Sequence, residues 1–415
     1  MNIEISGPEP AEQLTAKLDM LSNRSLDEST SQYFSLELLS VRITPKVLSA
    51  LVQILHHPLP RTQNGKDSKW EMVWFQKCRL ARACMPHNAD LLHALMAALA
   101  TRTKHLTLLN SPEIVACLAR DPKLDQLEVN SLSISEGMLG SIVEYVKLGD
   151  MIQKSAHLNK LHLQLDFDEV PGKMLESLAN ATSIKDLELH QRRADAVVGE
   201  CGSGNLMVRL LQNPQGPLRH LTLSFLGLED SHFIAIAQLL PTSQLKVLDV
   251  SNNKIQPQGI LKFAKQLPRI KSLRKIVLQN NPWVSDVRYF SQREECCLAL
   301  VQGMIENYSV EDLDLGRYDD SIIYILLDKL KGFPQGALLT HFIDLNRAGR
   351  RILPASTFIP SGLWPFVLKR AGTPTLYPSE WCIGEDQRAR SVNAVYSLLQ
   401  SCPIFAIERG VSPID

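Results

Sequence analysis

A line of aliphatic residues recurs along this chain in one spacing, and a recurrence sustained over several hundred residues leaves few folds open. It is clearest at Leu245, Leu248, Val250 and Asn253 and again at Leu273, Ile276, Leu278 and Asn281, both of which fit L-x-x-L-x-L-x-x-N. The same alternation is read at Leu124/Leu127/Val129, Leu158/Leu161/Leu163, Ile184/Leu187/Leu189, Leu218/Leu221/Leu223 and Val310/Leu313/Leu315. Upstream, Trp70/Val73/Phe75 with Cys78 at the asparagine position fits well, whereas Tyr33/Leu36/Leu38 and Thr103/Leu106/Leu108 fit less closely. These registers predict ten strands, with a degenerate one near Phe342. Leu132, Leu226 and Tyr318 stand where asparagine is expected, so those turns must be satisfied in another way.

The steps between second leucine positions leave room for a helix. Those from Leu161 to Leu187, from Leu221 to Leu248 and from Leu248 to Ile276 are nearly equal. Longer steps, from Leu127 to Leu161, from Leu187 to Leu221 and from Ile276 to Leu313, carry insertions such as Gln191 to Asn205. Between strands the apolar period changes from 2 to about 3.6. Ser231 to Leu240 sets Phe233, Ile234, Ala237 and Leu240 on one helical face, and Gln258 to Leu267 does the same with Ile260, Leu261, Ala264 and Leu267. Pro45 to Leu55 and Ala89 to Ala100 repeat the pattern. A short strand and a helix that cannot bury their apolar faces alone must stack on the next such pair. The expected fold is therefore α/β: a curved solenoid, or horseshoe, of about ten or eleven repeats with parallel strands on the concave face and helices on the convex face. Residues 1–31 are expected to form an N-terminal capping helix, with Leu14, Leu18 and Leu21 inward, and a linker. Residues 32–345 form the solenoid and 346–415 an irregular C-terminal capping segment.

On these residues the chain resembles leucine-rich-repeat proteins of the ribonuclease-inhibitor-like class over roughly residues 30–345. The words Asp344 to Arg351, Leu363-Trp364-Pro365 and Tyr396 to Leu399 resemble the tail of leucine-rich-repeat proteins abundant in diatoms, a family with no assigned activity. The resemblance implies a protein-interaction role and carries over no catalytic residue.

Composition narrows the partners. Across 415 residues, 44 Lys+Arg balance 44 Asp+Glu, so no global field draws in nucleic acid or an anionic membrane. The start Met-Asn-Ile-Glu-Ile-Ser lacks the basic and apolar regions of a secretory signal, and no apolar stretch approaches the roughly 20 residues that span a bilayer. A cytoplasmic or nuclear monomer is expected. The eight cysteines, without paired close spacing, read as reduced, packed thiols.

Residues between the strand leucines should face the hollow, because side chains alternate across a strand. At about 4.8 Å per strand, ten or eleven strands offer roughly 50 Å of surface, enough for a protein interface. The polar positions run from Asp125, Gln126, Glu128 and Asn130 through Asn159, Lys160, His162 and Gln164 to Lys185, Asp186, Glu188 and His190. Arg219, His220, Lys246, Arg274 and Lys275 then form a locally basic group, and Glu311, Asp312 and Asp314 an acidic one. These eight are the candidate partner-binding residues, with an acidic segment of a partner protein as the ligand of the basic group.

Catalytic constellations are poor. G-x-S-x-G, H-E-x-x-H and Walker motifs are missing from the chain, and Gly199 to Gly204 lacks the lysine and strand context of a phosphate loop. Cys78, Cys84, His87 and His93 have only loosely metal-like spacing, and Cys78 already serves the repeat. The vicinal Cys296 and Cys297 read as packed thiols before redox-active ones. No catalytic residue, cofactor or metal site is expected. The leading reading is a non-enzymatic scaffold binding a protein on the concave face or rim loops. The alternative is a regulator of a small GTPase, which would need a positioned asparagine or arginine on the loops after the strands.

Overall fold

In the computed structural model, residues 2–6, 10–23, 34–57, 69–81, 88–121, 127–135, 141–166, 170–191 and 216–315 are described, together with 59, 84, 211, 342, 343, 346 and 347. The Gly199 to Gly204 loop, His87, Tyr318 and nearly all of the expected C-terminal segment lie outside the described residues. The chain forms two compact units, Met1–Leu226 and Gly227–Asp415. The described residues of each are built as a leucine-rich-repeat solenoid.

Unit 1 runs β1 (Asn2–Ser6), α1 (Pro10–Asn23), β2 (Ser35–Leu39), β3 (Arg42–Ile43), α2 (Pro45–His56), β4 (Trp70–Gln76), β5 (Arg79–Leu80) and α3 (Ala89–Arg102). It continues with β6 (Thr103–Leu109), α4 (Pro112–Arg120), β7 (Ser131–Ser135), α5 (Ile142–Lys154), β8 (Lys160–Leu165), α6 (Gly172–Ala179), β9 (Asp186–Gln191) and β10 (His220–Ser224). Its sheet follows chain order, β1-β2-β4-β6-β7-β8-β9-β10, while β3 and β5 pair apart. Every pairing is parallel, and one register row joins Ile3, Leu36, Val73, Leu106, Leu132, Leu161, Leu187 and Leu221. All eight side chains are buried. Helices α1 to α6 neighbour one another in the same order, so the core lies between a helix layer and a sheet layer.

Unit 2 runs α7 (Asp230–Leu239), β11 (Val247–Asp249), α8 (Pro257–Ala264), β12 (Lys275–Val277), α9 (Pro282–Ser285), α10 (Phe290–Glu306) and β13 (Asp312–Asp314). Leu248, Ile276 and Leu313 are in register on β11, β12 and β13. The long step from Ile276 to Leu313 is filled by α9 and the extended α10.

Several expectations shift. Leu127 and Val129 are buried but precede the strand; Leu132 and Ile134 pair with Leu106 and Leu108 instead, so Leu132 is a strand leucine and not an asparagine substitute. The outward residues of that strand are Ser131, Ser133 and Ser135, in place of the Glu128 and Asn130 of the expected map; Asp125 and Gln126 lie outside the described residues. Of the degenerate strand expected near Phe342, the described residues Phe342 and Ile343 are helical, and a strand not foreseen, β1, lies ahead of the expected first helix. On α7 the buried face is Phe233, Ile236, Ala237 with Leu240 following, and on α8 it holds Ile260, Phe263 and Ala264; Ile234 and Leu261 are only half-buried. That is the i, i+3, i+4, i+7 stripe shifted by one choice of residue.

The exits from six of the strands show why the repeat carries its polar residue. Ser40, Lys77, Asn110, Phe225, Asn252 and Asn280 all have positive φ, between 51° and 61°, and each lies four positions after its second leucine. The residue that follows closes the turn. Asn253 donates from Nδ2 to the Val250 and Ser251 carbonyls (2.9 and 3.0 Å), and its Oδ1 accepts from Leu228 N (3.1 Å). Asn281 donates to the Val250, Leu278 and Gln279 carbonyls and accepts from Ile255 N (3.1 Å), linking one coil to the next. In unit 1, Cys78 Sγ donates to the Leu38 carbonyl (3.3 Å) and Ser111 Oγ to the Leu109 carbonyl (3.1 Å), so smaller side chains do the same work.

Candidate functional site

In-register parallel strands put residues of equal phase side by side, so the outward side chains of unit 1 form three rows across the sheet. The first is Asn2, Ser35, Met72, His105, Ser131, Lys160, Asp186 and His220. The second is Glu4, Glu37, Trp74, Thr107, Ser133, His162, Glu188 and Thr222, and the third Ser6, Leu39, Gln76, Leu109, Ser135, Gln164, His190 and Ser224. Composition changes along the rows. Leu39, Met72, Trp74 and Leu109 make one part apolar, and β8 to β10 carry the imidazoles and carboxylates.

On those last strands the groups engage one another. Lys160 Nζ lies 3.3 Å from Glu188 Oε1, and His162 Nδ1 lies 3.6 Å from Glu188 Oε2. The His162 and His190 rings have centroids 5.0 Å apart with planes inclined at 54°. His220 Nδ1 is 2.5 Å from Asp186 Oδ1, and Ser135 Oγ donates to Gln164 Oε1 at 2.7 Å. Burial is the first cause of a lowered His162 pKa, with the neighbouring His190 and Lys160 adding to it and Glu188 opposing it. His162 is thereby biased toward the neutral imidazole. Ligand atoms of His162, Glu188 and His190 all lie within 4.8 Å of one another.

The eight residues selected from the sequence fall in both units. In unit 1, Arg219 is half-buried and its Nη1 donates to the Gly216 and Leu218 carbonyls (both 3.1 Å), while His220 is exposed beside Asp186. In unit 2, Lys246 is half-buried; Arg274 Nη1 donates to the Ser309 carbonyl (3.0 Å) and lies 3.6 Å from Glu311; and Lys275 lies 3.2 Å from Asp312, which also meets Arg347 at 3.3 Å. Asp314 accepts from Gln279 Nε2 at 2.5 Å. The cations and carboxylates of unit 2, separate groups in the linear map, are thus cross-strand partners. The sequence could have shown this, since Lys275 and Asp312 are equally spaced from their strand leucines.

The other candidates from the sequence are structural. Cys78 and Cys84 are buried, the latter with Sγ 3.2 Å from the Ile43 carbonyl, and burial raises both thiols. His93 pairs with Asp121 at 2.5 Å. Cys296 and Cys297 are buried in α10, where desolvation pushes them up to about 12 and about 11. Asn253 and Asn281, asparagines on the loops after the strands, are buried in the turn bonds described above. No helix among the described residues is long and apolar enough to cross a membrane.

No family model matches the chain, and no curated protein matches it. Among solved structures it is similar to the leucine-rich repeat-containing protein LegL7 from Legionella pneumophila, at 15% identity over 83% of this chain and 97% of that one, with a TM-score of 0.41. It is also similar to the tropomodulin C-terminal domain of Caenorhabditis elegans, at 14% identity over 44% of this chain and 98% of that one (TM-score 0.33). A third is the actin-binding site 2 of leiomodin-1, at 15% identity over 44% of this chain and 94% of that one (TM-score 0.30). At these scores the likenesses carry no argument about function; the solenoid is read from the strand order and the turn bonds.

Proposed function

We propose that the protein is a non-enzymatic protein–protein interaction scaffold, a monomer whose partner docks along the outward face of the strands or on the turns at their ends. The supporting observation is the three side-chain rows across eight parallel strands of unit 1. At about 4.8 Å per strand they span roughly 34 Å, the width of a standard protein interface. Met72 and Trp74 supply apolar anchor area of the kind that dominates such interfaces, and Lys160, Asp186, Glu188 and His220 supply polar selectivity. We read the repeats as ribonuclease-inhibitor-like, a reading supported by coil steps most of which are long enough for a strand and a full helix.

Acidic sequence in the partner remains the proposed ligand of the basic residues of each unit, Arg219 and His220 in unit 1 and Lys246, Arg274 and Lys275 in unit 2. Lys275 and Arg274 would exchange Asp312 and Glu311 for the partner's carboxylates, so affinity would be modest and salt-dependent. The test is affinity capture with wild-type protein beside Trp74→Ser in unit 1 and the K246E/K275E pair in unit 2. Partners lost only with a substituted face locate the interface; an identical set captured by all three proteins would remove this reading.

A further inference from the structure

We propose that His162, Glu188 and His190 form a binding site for one divalent transition-metal ion of the zinc class, on the outward face of strands β8 and β9. The register brings them together. His162 and Glu188 are direct neighbours across the pair, and His190 follows Glu188 on the same face two positions on, opposite Gln164. Two imidazoles and one carboxylate are a donor set that suits zinc or its neighbours and does not suit magnesium or calcium, which take oxygen ligands.

The spacing argues for an ion and against a simple ion pair. His162 Nδ1 and Glu188 Oε2 are 3.6 Å apart, too far for a good hydrogen bond. Two ligands on one tetrahedral zinc, each at about 2.0–2.1 Å, stand about 3.3 Å apart. The widest separation in the trio is within 4.8 Å, which small side-chain rotations on a fixed backbone can close. Glu188 is already divided in the required way: Oε1 faces Lys160 at 3.3 Å, and Oε2 faces the imidazole. Lys160 therefore orients the carboxylate from outside the ligand set, while its charge moderates affinity. Three protein ligands on an open face leave a fourth position for water. Such a site is independent of the scaffold reading and departs from the spacing-based expectation that the chain holds no metal.

The test is calorimetric titration of the full chain with Zn²⁺, paired with the visible spectrum of the Co²⁺-substituted protein. Wild type should bind one ion with a tetrahedral cobalt spectrum lacking a thiolate charge-transfer band. H162Q and H190Q should each weaken binding about tenfold or more, and E188Q provides an isosteric variant whose folding is checked by metal-free thermal midpoint. H105Q, on the same face but on β6, should bind as wild type does. Unchanged stoichiometry and affinity in the H162Q/H190Q double variant would overturn the assignment, as would a cobalt–thiolate band.

Discussion

At the scale of single residues, the left-handed turn that follows six of the strands sets the sharpest constraint. Asn280 combines φ 55° with a hydrogen bond from its Nδ2 to Asn252 Oδ1 (2.7 Å). Asn280→Ala and Asn280→Gly both remove that bond, but only alanine carries a Cβ into the left-handed region, at about 1 kcal/mol or somewhat more. Urea unfolding should therefore show the alanine variant less stable than the glycine variant by about that amount; equal losses would mean the turn relaxes. Thiol chemistry gives a second expectation. Cys78, Cys84, Cys117, Cys296 and Cys297 are buried with raised pKa values, so at pH 7 they are protonated and shielded. Of the eight cysteines in the chain, these five should resist Ellman's reagent until the protein unfolds, leaving at most three to react in the native state.

Among elements, packing distance decides the sign of substitutions that propensity alone would misjudge. Glycine to alanine inside a helix usually stabilises by about 1 kcal/mol. At Gly303 on α10 a Cβ would lie 2.5 Å from the Ala264 carbonyl oxygen and 2.9 Å from Leu267 Cδ1. Backbone oxygen cannot rotate away, so Gly303→Ala should lose about 1–3 kcal/mol, read as a lower thermal midpoint. Helices α4 and α5 hold a different dependence. Glu144 is fully buried and ion-paired with Arg120, which is half exposed. Arg120→Met should destabilise by about 1–3 kcal/mol by leaving a carboxylate inside, less than for a wholly enclosed pair. Sequence legibility follows the same physics. Leu161, Leu187, Leu248 and Ile276 are readable because alternation and step length agree there. At β7, two overlapping matches share Val129, and alternation cannot choose between Leu127 and Leu132. Step length can: Leu132 stands almost midway between Leu106 and Leu161, whereas Leu127 leaves one short step and one long one. Strand β1 escapes a reading by pattern because a single alternation, Ile3 and Ile5, has no partner in the sequence until the sheet supplies one. The His162, Glu188 and His190 trio lies on the outward map, but only cross-strand register turns three scattered positions into neighbours.

For the molecule, the solenoid makes stability a sum of coil and neighbour terms. Leu161→Ala removes a fully buried side chain and should cost about 2–5 kcal/mol, the usual cavity penalty. Hydrogen exchange should then rise mainly in β7, β8 and β9, while β1 and β2 of the same unit keep their protection; uniform acceleration across unit 1 would show that its coils unfold as one. The turn asparagines, serine and cysteine satisfy the backbone from inside, and the aliphatic row fills the core. Neither task falls to the outward triplets, such as Ser131, Ser133 and Ser135. Each coil can thus be rewritten on its solvent side as one line of a printed form is, so that new specificities could accumulate strand by strand while the frame beneath them stays as it was.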